Sequence, residues 1–327
     1  MTPPETLRKT PIRVIYNDVD NTLVNNGYDT TGAIQEGPDA ETNAAFAAYR
    51  IWNATVDVPI VLVTNRGRAA TEGIIKRGGF GTKPNYRKAI CEGVGILDTG
   101  DGSYTFVGEV VSELHSKKEF VPMLAEIRDT LHPELEKIGQ EICAGHVPII
   151  SPGKQFSLAW DIPYTIKREE GEMIGSSARV NADAFYMAIK KSLDEKGYRK
   201  FVAFSHDEPV TEESKSKPLQ LTRDNSAVNL RLTGLDKRPT ILYLTRLFGL
   251  KEEQTACLDD SSLDAFTPDS LACAPANANK KVQEFVLDKY KKDGSGYLSA
   301  NPGIQGQLDI LETILRINMQ AAKIIIS

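Results

Sequence analysis

The stretch Ile15-Tyr16-Asn17-Asp18-Val19-Asp20-Asn21-Thr22-Leu23 places two carboxylates two positions apart, where an apolar, β-branched run from Ile12 to Tyr16 gives out. A short run of that kind suits a strand buried on both faces, as in a parallel sheet. In open α/β sheets ligands bind just past the carboxyl ends of the strands, the place this reading assigns to Asp18 and Asp20. One carboxylate there can attack phosphorus or an acyl centre while the other handles the proton. Together they can hold a hard cation such as Mg2+ through oxygen. A polar strand exit with local Asx turns accounts for the same residues without any chemistry.

Outward from this stretch the chain alternates. Glu41 to Trp52 reads as a helix, Ile60-Val61-Leu62-Val63 as a second buried strand, and Gly67 to Arg77 as a helix closed by Gly78-Gly79. Strand and helix in turn predict a doubly wound parallel sheet. The rhythm then breaks. Ala89 to Leu97 reads as a strand, Asp98-Thr99-Gly100-Asp101-Gly102 as a turn and Tyr104 to Val110 as the return strand. Lys118 to Leu131 and Asp183 to Lys196 read as helices among short strands at Phe156–Trp160, Phe201–Phe204 and Ala227–Leu232, with Ser205 to Asn225 as a long exposed loop. After Gly234 the first rhythm resumes: helix Pro239–Phe248, strand Thr255–Leu258, a helix starting at Ser262–Phe266, strand Leu271–Ala274, and helices Lys280–Lys291 and Gln307–Ile317. The expected fold is therefore an α/β Rossmann-like core, residues 1–111 and 233–327, interrupted by an inserted α+β unit at 112–232.

Composition narrows the function. Lys plus Arg number 39 against 44 Asp plus Glu, a formal net charge of -5, which disfavours nucleic acid and anionic membrane as partners. No run is long and apolar enough for a membrane span, and the opening MTPPETLRKTP lacks the apolar core of a signal peptide. Cys91, Cys143, Cys257 and Cys273 are scattered, and His115, His132, His146 and His206 lack ligand spacing, so a zinc site is not expected and a reducing, cytoplasmic compartment is.

Other strand ends and helix starts also carry polar groups. Thr64, followed by Asn65-Arg66-Gly67, offers a hydroxyl and helix N-terminal N–H groups to an oxyanion, or simply caps the helix. Lys237 stands before the helix that reopens the sheet rhythm; it can neutralise a phosphoryl group or lie on the surface. In Cys257-Leu258-Asp259-Asp260-Ser261-Ser262-Leu263-Asp264, a helical start would put Asp260 and Asp264 on one face, suited to Mg2+ or to capping. Lys291 to Ser299 mimics a calcium loop, but Lys291 and Pro302 fall where acids are required, so it reads as a turn.

In this order the clusters resemble the haloacid dehalogenase superfamily of phosphohydrolases. The Asp-x-Asp-x-Thr motif is Asp18-Val19-Asp20-Asn21-Thr22, the second motif Thr64, the third Lys237 and the fourth Asp259, Asp260 and Asp264, with Ala274-Pro275-Ala276-Asn277-Ala278 similar to the loop that follows. An insertion between the second and third motifs resembles the C2-capped, type IIB branch, which holds sugar-phosphate phosphatases and phosphomannomutases. The resemblance implies that Asp18 attacks phosphorus and that Asp20 protonates the leaving oxygen and then activates water. It implies Mg2+ on Asp18, the Asp20 carbonyl and Asp260, with Asp264 beside it, and phosphoryl oxygens on Thr64, Asn65 and Lys237. An acid at position 20, where P-type ATPases carry Thr and phosphonate-cleaving relatives Ala, implies an oxygen leaving group. Asn21 stands where the family usually has Gly, as does Asp259, and Leu263 stands where Asn is common.

The resulting expectation is a Mg2+-dependent phosphatase of a small phosphorylated metabolite, a sugar phosphate above others, acting as a monomer or homodimer. A phosphomutase of the phosphomannomutase type and a catalytically silent binding protein are the alternatives. Arg66 and Lys154 are candidate substrate contacts, and Ser151–Phe156 and Ser205–Lys217 candidate site-facing segments.

Overall fold

The computed structural model describes residues 7–8, 10–20, 22–23, 40–143, 149–150, 154–161, 168–169, 172–173, 176–205, 211–223, 227–234 and 236–326. Asn21, His146, His206 and parts of the segments 151–156 and 205–217 lie outside them. The chain divides into two compact units, Met1–Val107 with Asp236–Ser327, and Gly108–Leu235.

The first unit begins with β1 (Val14–Asn17), α1 (Ala40–Thr55), β2 (Ile60–Leu62) and α2 (Arg68–Gly78), close to the predicted spans. Helix α2 stops at Gly79, whose φ of 67° only glycine adopts readily. The predicted strand Ala89–Leu97 is instead a hairpin of its own, β3 (Lys88–Cys91) and β4 (Gly95–Asp98), extended antiparallel by β5 (Tyr104–Phe106). The chain reverses at Glu92-Gly93, which have φ of 55° and 70°. Apolar residues on both sides, Ala89-Ile90-Cys91 and Ile96-Leu97, make the segment read as one strand, and Val94 between them is buried like its strand neighbours.

The second unit contains α3 (Val121–Ile142), β6 (Ile149–Ile150), β7 (Ser157–Asp161), β8 (Arg168–Glu169), β9 (Glu172–Met173), α4 (Ser176–Glu195), β10 (Val202–Phe204), α5 (Glu212–Ser216), β11 (Leu219–Arg223) and β12 (Ala227–Leu232). Five of its strands form a mixed sheet, β10-β11-β12-β7-β6. The segment expected as a loop at Ser205–Asn225 therefore contains a short helix and a strand. Leu219 and Leu221, two apart, both point into the core at 0% exposure, and this single alternation was outweighed by the polar residues before it.

The chain then returns to the first unit through α6 (Lys237–Leu247), β13 (Thr255–Leu258), β14 (Leu271–Ala274), α7 (Lys280–Asp293), β15 (Gly296–Leu298) and α8 (Gly303–Ile326). The central sheet is parallel throughout, in the order β15-β14-β13-β1-β2. The calcium-loop mimic is the α7–β15 junction: Gly294 ends the helix at φ 72° and Asp293 accepts from the Ser295 N–H. Ile15, Ile60, Leu62, Leu258 and Leu271 lie in one buried cluster with Phe46, Tyr49 and Ile314. Burying such side chains stabilises the fold by about 1.5–3 kcal/mol each. No helix among the described residues is long and apolar enough to cross a membrane.

Candidate active site

Connectivity leaves β1 in opposite directions, to β2 on one side and from β13 outward on the other, so the β1–β13 boundary is where the strand order reverses. In doubly wound sheets the crevice outside such a boundary binds ligands. The register pairs Asn17 with Leu258 and with Leu62, so the next residues, Asp18, Asp259 and Val63, emerge together. Two bonds carry the ladder one step further: Asp18 N donates to Leu258 O at 2.9 Å and Val63 N to Asn17 O at 2.8 Å.

Lys237 is the hub. It opens α6 behind the Asp236 cap, is 2% exposed, and its Nζ donates to Asp18 Oδ1 at 2.9 Å and to Asp259 Oδ2 at 2.7 Å. Asp264 Oδ1 lies 4.0 Å from the same ammonium. Asp18, Asp259 and Asp260 are all buried and each brings a carboxylate oxygen within 4.8 Å of the others; Asp20 and Asp264 are outside this group. One ammonium thus faces more negative charge than it can balance. Burial holds the Asp18 carboxyl well above the usual carboxylate range, Lys237 opposes this, and Asp259 and Asp20 push it further up. For Lys237, burial alone would lower the pKa, but Asp18, Asp259 and Asp264 reverse the direction and keep it charged.

Asp259, which replaces the glycine expected from the resemblance, is a scaffold. Its Oδ2 holds Lys237, while its Oδ1 accepts from Ser261 N at 2.9 Å and Ser262 N at 2.8 Å. Residues 262–266 form a bend and a turn where the sequence predicts a helix, so Asp260 and Asp264 share no helical face. Asp260 is instead fixed from behind, its carbonyl accepting from Asn279 N at 2.7 Å at the end of the Ala274–Ala278 loop. Leu263 leaves its side chain exposed and its carbonyl accepts from Arg238 Nη2 at 2.9 Å.

On the other side of Asp18, Thr64 is buried and its Oγ1 accepts from Arg66 N at 3.0 Å, while Asn65 is exposed. Arg66 grips Asp20 with two bonds, Nε to Oδ2 at 3.1 Å and Nη2 to Oδ1 at 2.5 Å. Arg66, expected at the substrate, is thus engaged with the second acid. Lys154 belongs to the other unit, half-buried just before β7. Sequence reasoning missed the Glu92-Gly93 turn, which packs against this site; the signal was the pair of glycines at 93 and 95 inside an apolar run.

The donor set fits a hard divalent cation: three buried carboxylates, all oxygen, short of positive charge. A buried carboxylate beside a fixed ammonium and a buried hydroxyl suits binding of a group with anionic oxygens.

Neither a family model nor a curated relative matches the sequence. Solved structures do. Protein 0175 of Thermoplasma acidophilum is 13% identical with a TM-score of 0.52, covering 93% of this chain and 98% of that one. The C-terminal domain of trehalose-6-phosphate phosphatase from C. albicans is 14% identical with a TM-score of 0.50, covering 98% of each chain. A haloacid dehalogenase-like hydrolase from Bacteroides thetaiotaomicron is 14% identical with a TM-score of 0.49, covering 94% and 99%. At these identities the likeness is one of fold alone, a parallel-sheet core carrying an inserted α+β unit.

Proposed function

We propose that this chain is a Mg2+-dependent phosphatase that hydrolyses small phosphate monoesters through an aspartyl-phosphate. The observation that carries the reading is the Asp18–Lys237–Asp259 arrangement with Asp260 beside it: a buried carboxylate, a bound ammonium and an excess of negative charge meeting at the sheet's reversal point. Asp18 attacks phosphorus, and the ester oxygen departs with a proton from Asp20. Water, losing its proton to Asp20, then displaces phosphate from Asp18. Lys237 and the Thr64 hydroxyl neutralise and orient the phosphoryl oxygens, and Asp259 keeps Lys237 aimed. Asp18 and Asp260, with the Asp20 carbonyl, would hold Mg2+, which would supply the missing positive charge. Positioning and charge neutralisation of this kind account for most catalysis of phosphoryl transfer.

A trehalose-6-phosphate phosphatase domain with this fold supports a sugar phosphate as substrate. Four buried thiols with no disulfide among them suit a cytoplasmic enzyme. The test is phosphate release from a panel of sugar phosphates and p-nitrophenyl phosphate, with Mg2+ and with EDTA, and no bisphosphate activator. Metal-dependent release by the wild type, lost in Asp18→Asn, is expected. Release that ignores the metal or survives Asp18→Asn would overturn the reading, and turnover only with a bisphosphate would make the chain a mutase.

A further inference from the structure

Glu92 is the one non-glycine residue among the described residues whose backbone is left-handed, with φ of 55°. L side chains avoid that conformation, and it persists only where the surroundings enforce it. Here they do so from two directions. On the side-chain side, Glu92 is 7% exposed and its Oε1 accepts from the Tyr104 hydroxyl at 2.8 Å. Tyr104 reaches across because Gly95 has no side chain: a Cβ there would stand 2.3 Å from the tyrosine oxygen. On the backbone side, Glu92 N donates to Arg66 O at 3.0 Å and Gly93 N to Thr64 O at 2.9 Å. The Gly93 carbonyl accepts from Thr240 Oγ1 on α6 at 3.0 Å. A Cβ on Gly93 would lie 3.2 Å from Asn65 Oδ1 and 3.7 Å from Lys237 Cγ. The turn is therefore wedged between the Thr64-Asn65-Arg66 loop and the helix that begins at Lys237.

We propose that the Glu92-Gly93 turn, locked by Tyr104, is a positioning element that holds the Thr64 loop and Lys237 at the separation a phosphoryl group needs. It rests on the phosphatase reading and adds residues that touch neither substrate nor metal. Thr64 and Lys237 lie on different elements, and this dipeptide bonds to Thr64 itself and, through Thr240, to the helix that Lys237 opens. Releasing the Glu92 side chain frees the turn to relax, and the two phosphate-binding groups lose their common reference.

The test compares Tyr104→Phe, Glu92→Ala and Glu92→Gln in the full chain with Mg2+, measuring inorganic phosphate affinity by calorimetry, KM and kcat on one phosphate ester, and Tm. Tyr104→Phe and Glu92→Ala are expected to weaken phosphate binding and raise KM about fivefold, the effect of one lost hydrogen bond. Glu92→Gln, which keeps an oxygen for the tyrosine hydroxyl, is expected to stay near wild type. Variants that melt earlier yet bind phosphate as the wild type does would overturn the proposal, as would Glu92→Gln binding as poorly as Glu92→Ala. A wild type that neither binds phosphate nor releases it from esters sinks the phosphatase reading itself; a competent wild type matched by its Tyr104→Phe variant sinks only the positioning role.

Discussion

Asp18 holds one oxygen against the Lys237 ammonium, yet its proton affinity is raised, because burial and two neighbouring acids outweigh one shared cation. The stability consequence has a definite sign. A carboxyl whose folded pKa lies above its usual 3.8 lends stability at low pH and loses it as pH rises through the folded value. In EDTA at pH 7, Asp18→Asn is therefore expected to melt above the wild type, with the gap closing as pH falls towards 4. A calorimetric series that showed the variant melting lower at pH 7 would mean Lys237 dominates Asp18 after all. Arg66 matters at the same scale. It grips the acid at position 20 with two N–H groups, so Arg66→Ala is expected to slow hydrolysis of alkyl phosphates more than of p-nitrophenyl phosphate, whose leaving group departs without a proton. Equal losses on the two substrates would make Arg66 a binding group instead.

Elements set these residues only through their ends. Strand β1 ends one residue before Asp18, β13 one residue before Asp259, and β2 two residues before Thr64, and parallel register brings those ends together, so apolar runs followed by polar residues mark them in the sequence. Turns were harder to read. Gly93 and Gly95, not Val94, mark the reversal, and Asp259 takes two N–H groups from its own loop where the same spacing fits a helix start equally well. That loop is the sharpest place to test an element. Asp259→Ala leaves Lys237 with one close partner and the Ser261 and Ser262 N–H groups without theirs, a loss on the order of 3–5 kcal/mol by urea denaturation. Asp259→Asn, which keeps the amide oxygen for those N–H groups, is expected to lose less. Identical losses would show that the loop bonds contribute nothing.

At the scale of the whole molecule, residues 108–235 are one uninterrupted stretch with its own five-stranded sheet and two long helices, whereas the sheet unit is assembled from both ends of the chain. A fragment spanning 108–235 is expected to fold alone, with a cooperative thermal transition followed by circular dichroism; a featureless melt would show that the inserted unit depends on the rest. The sequence by itself determined the alternation of strands and helices, the interruption, and which acids, hydroxyl and lysine stand at element ends, because burial periodicity and capping chemistry are local. Only the tertiary structure decided partnerships. Lys237 meets Asp18 across 219 positions, Arg66 turns to Asp20 across 46, and Glu92 takes a left-handed backbone to serve a tyrosine 12 residues away. Those choices follow from strand order and from the need to satisfy every buried charge and N–H group, a condition no single segment contains.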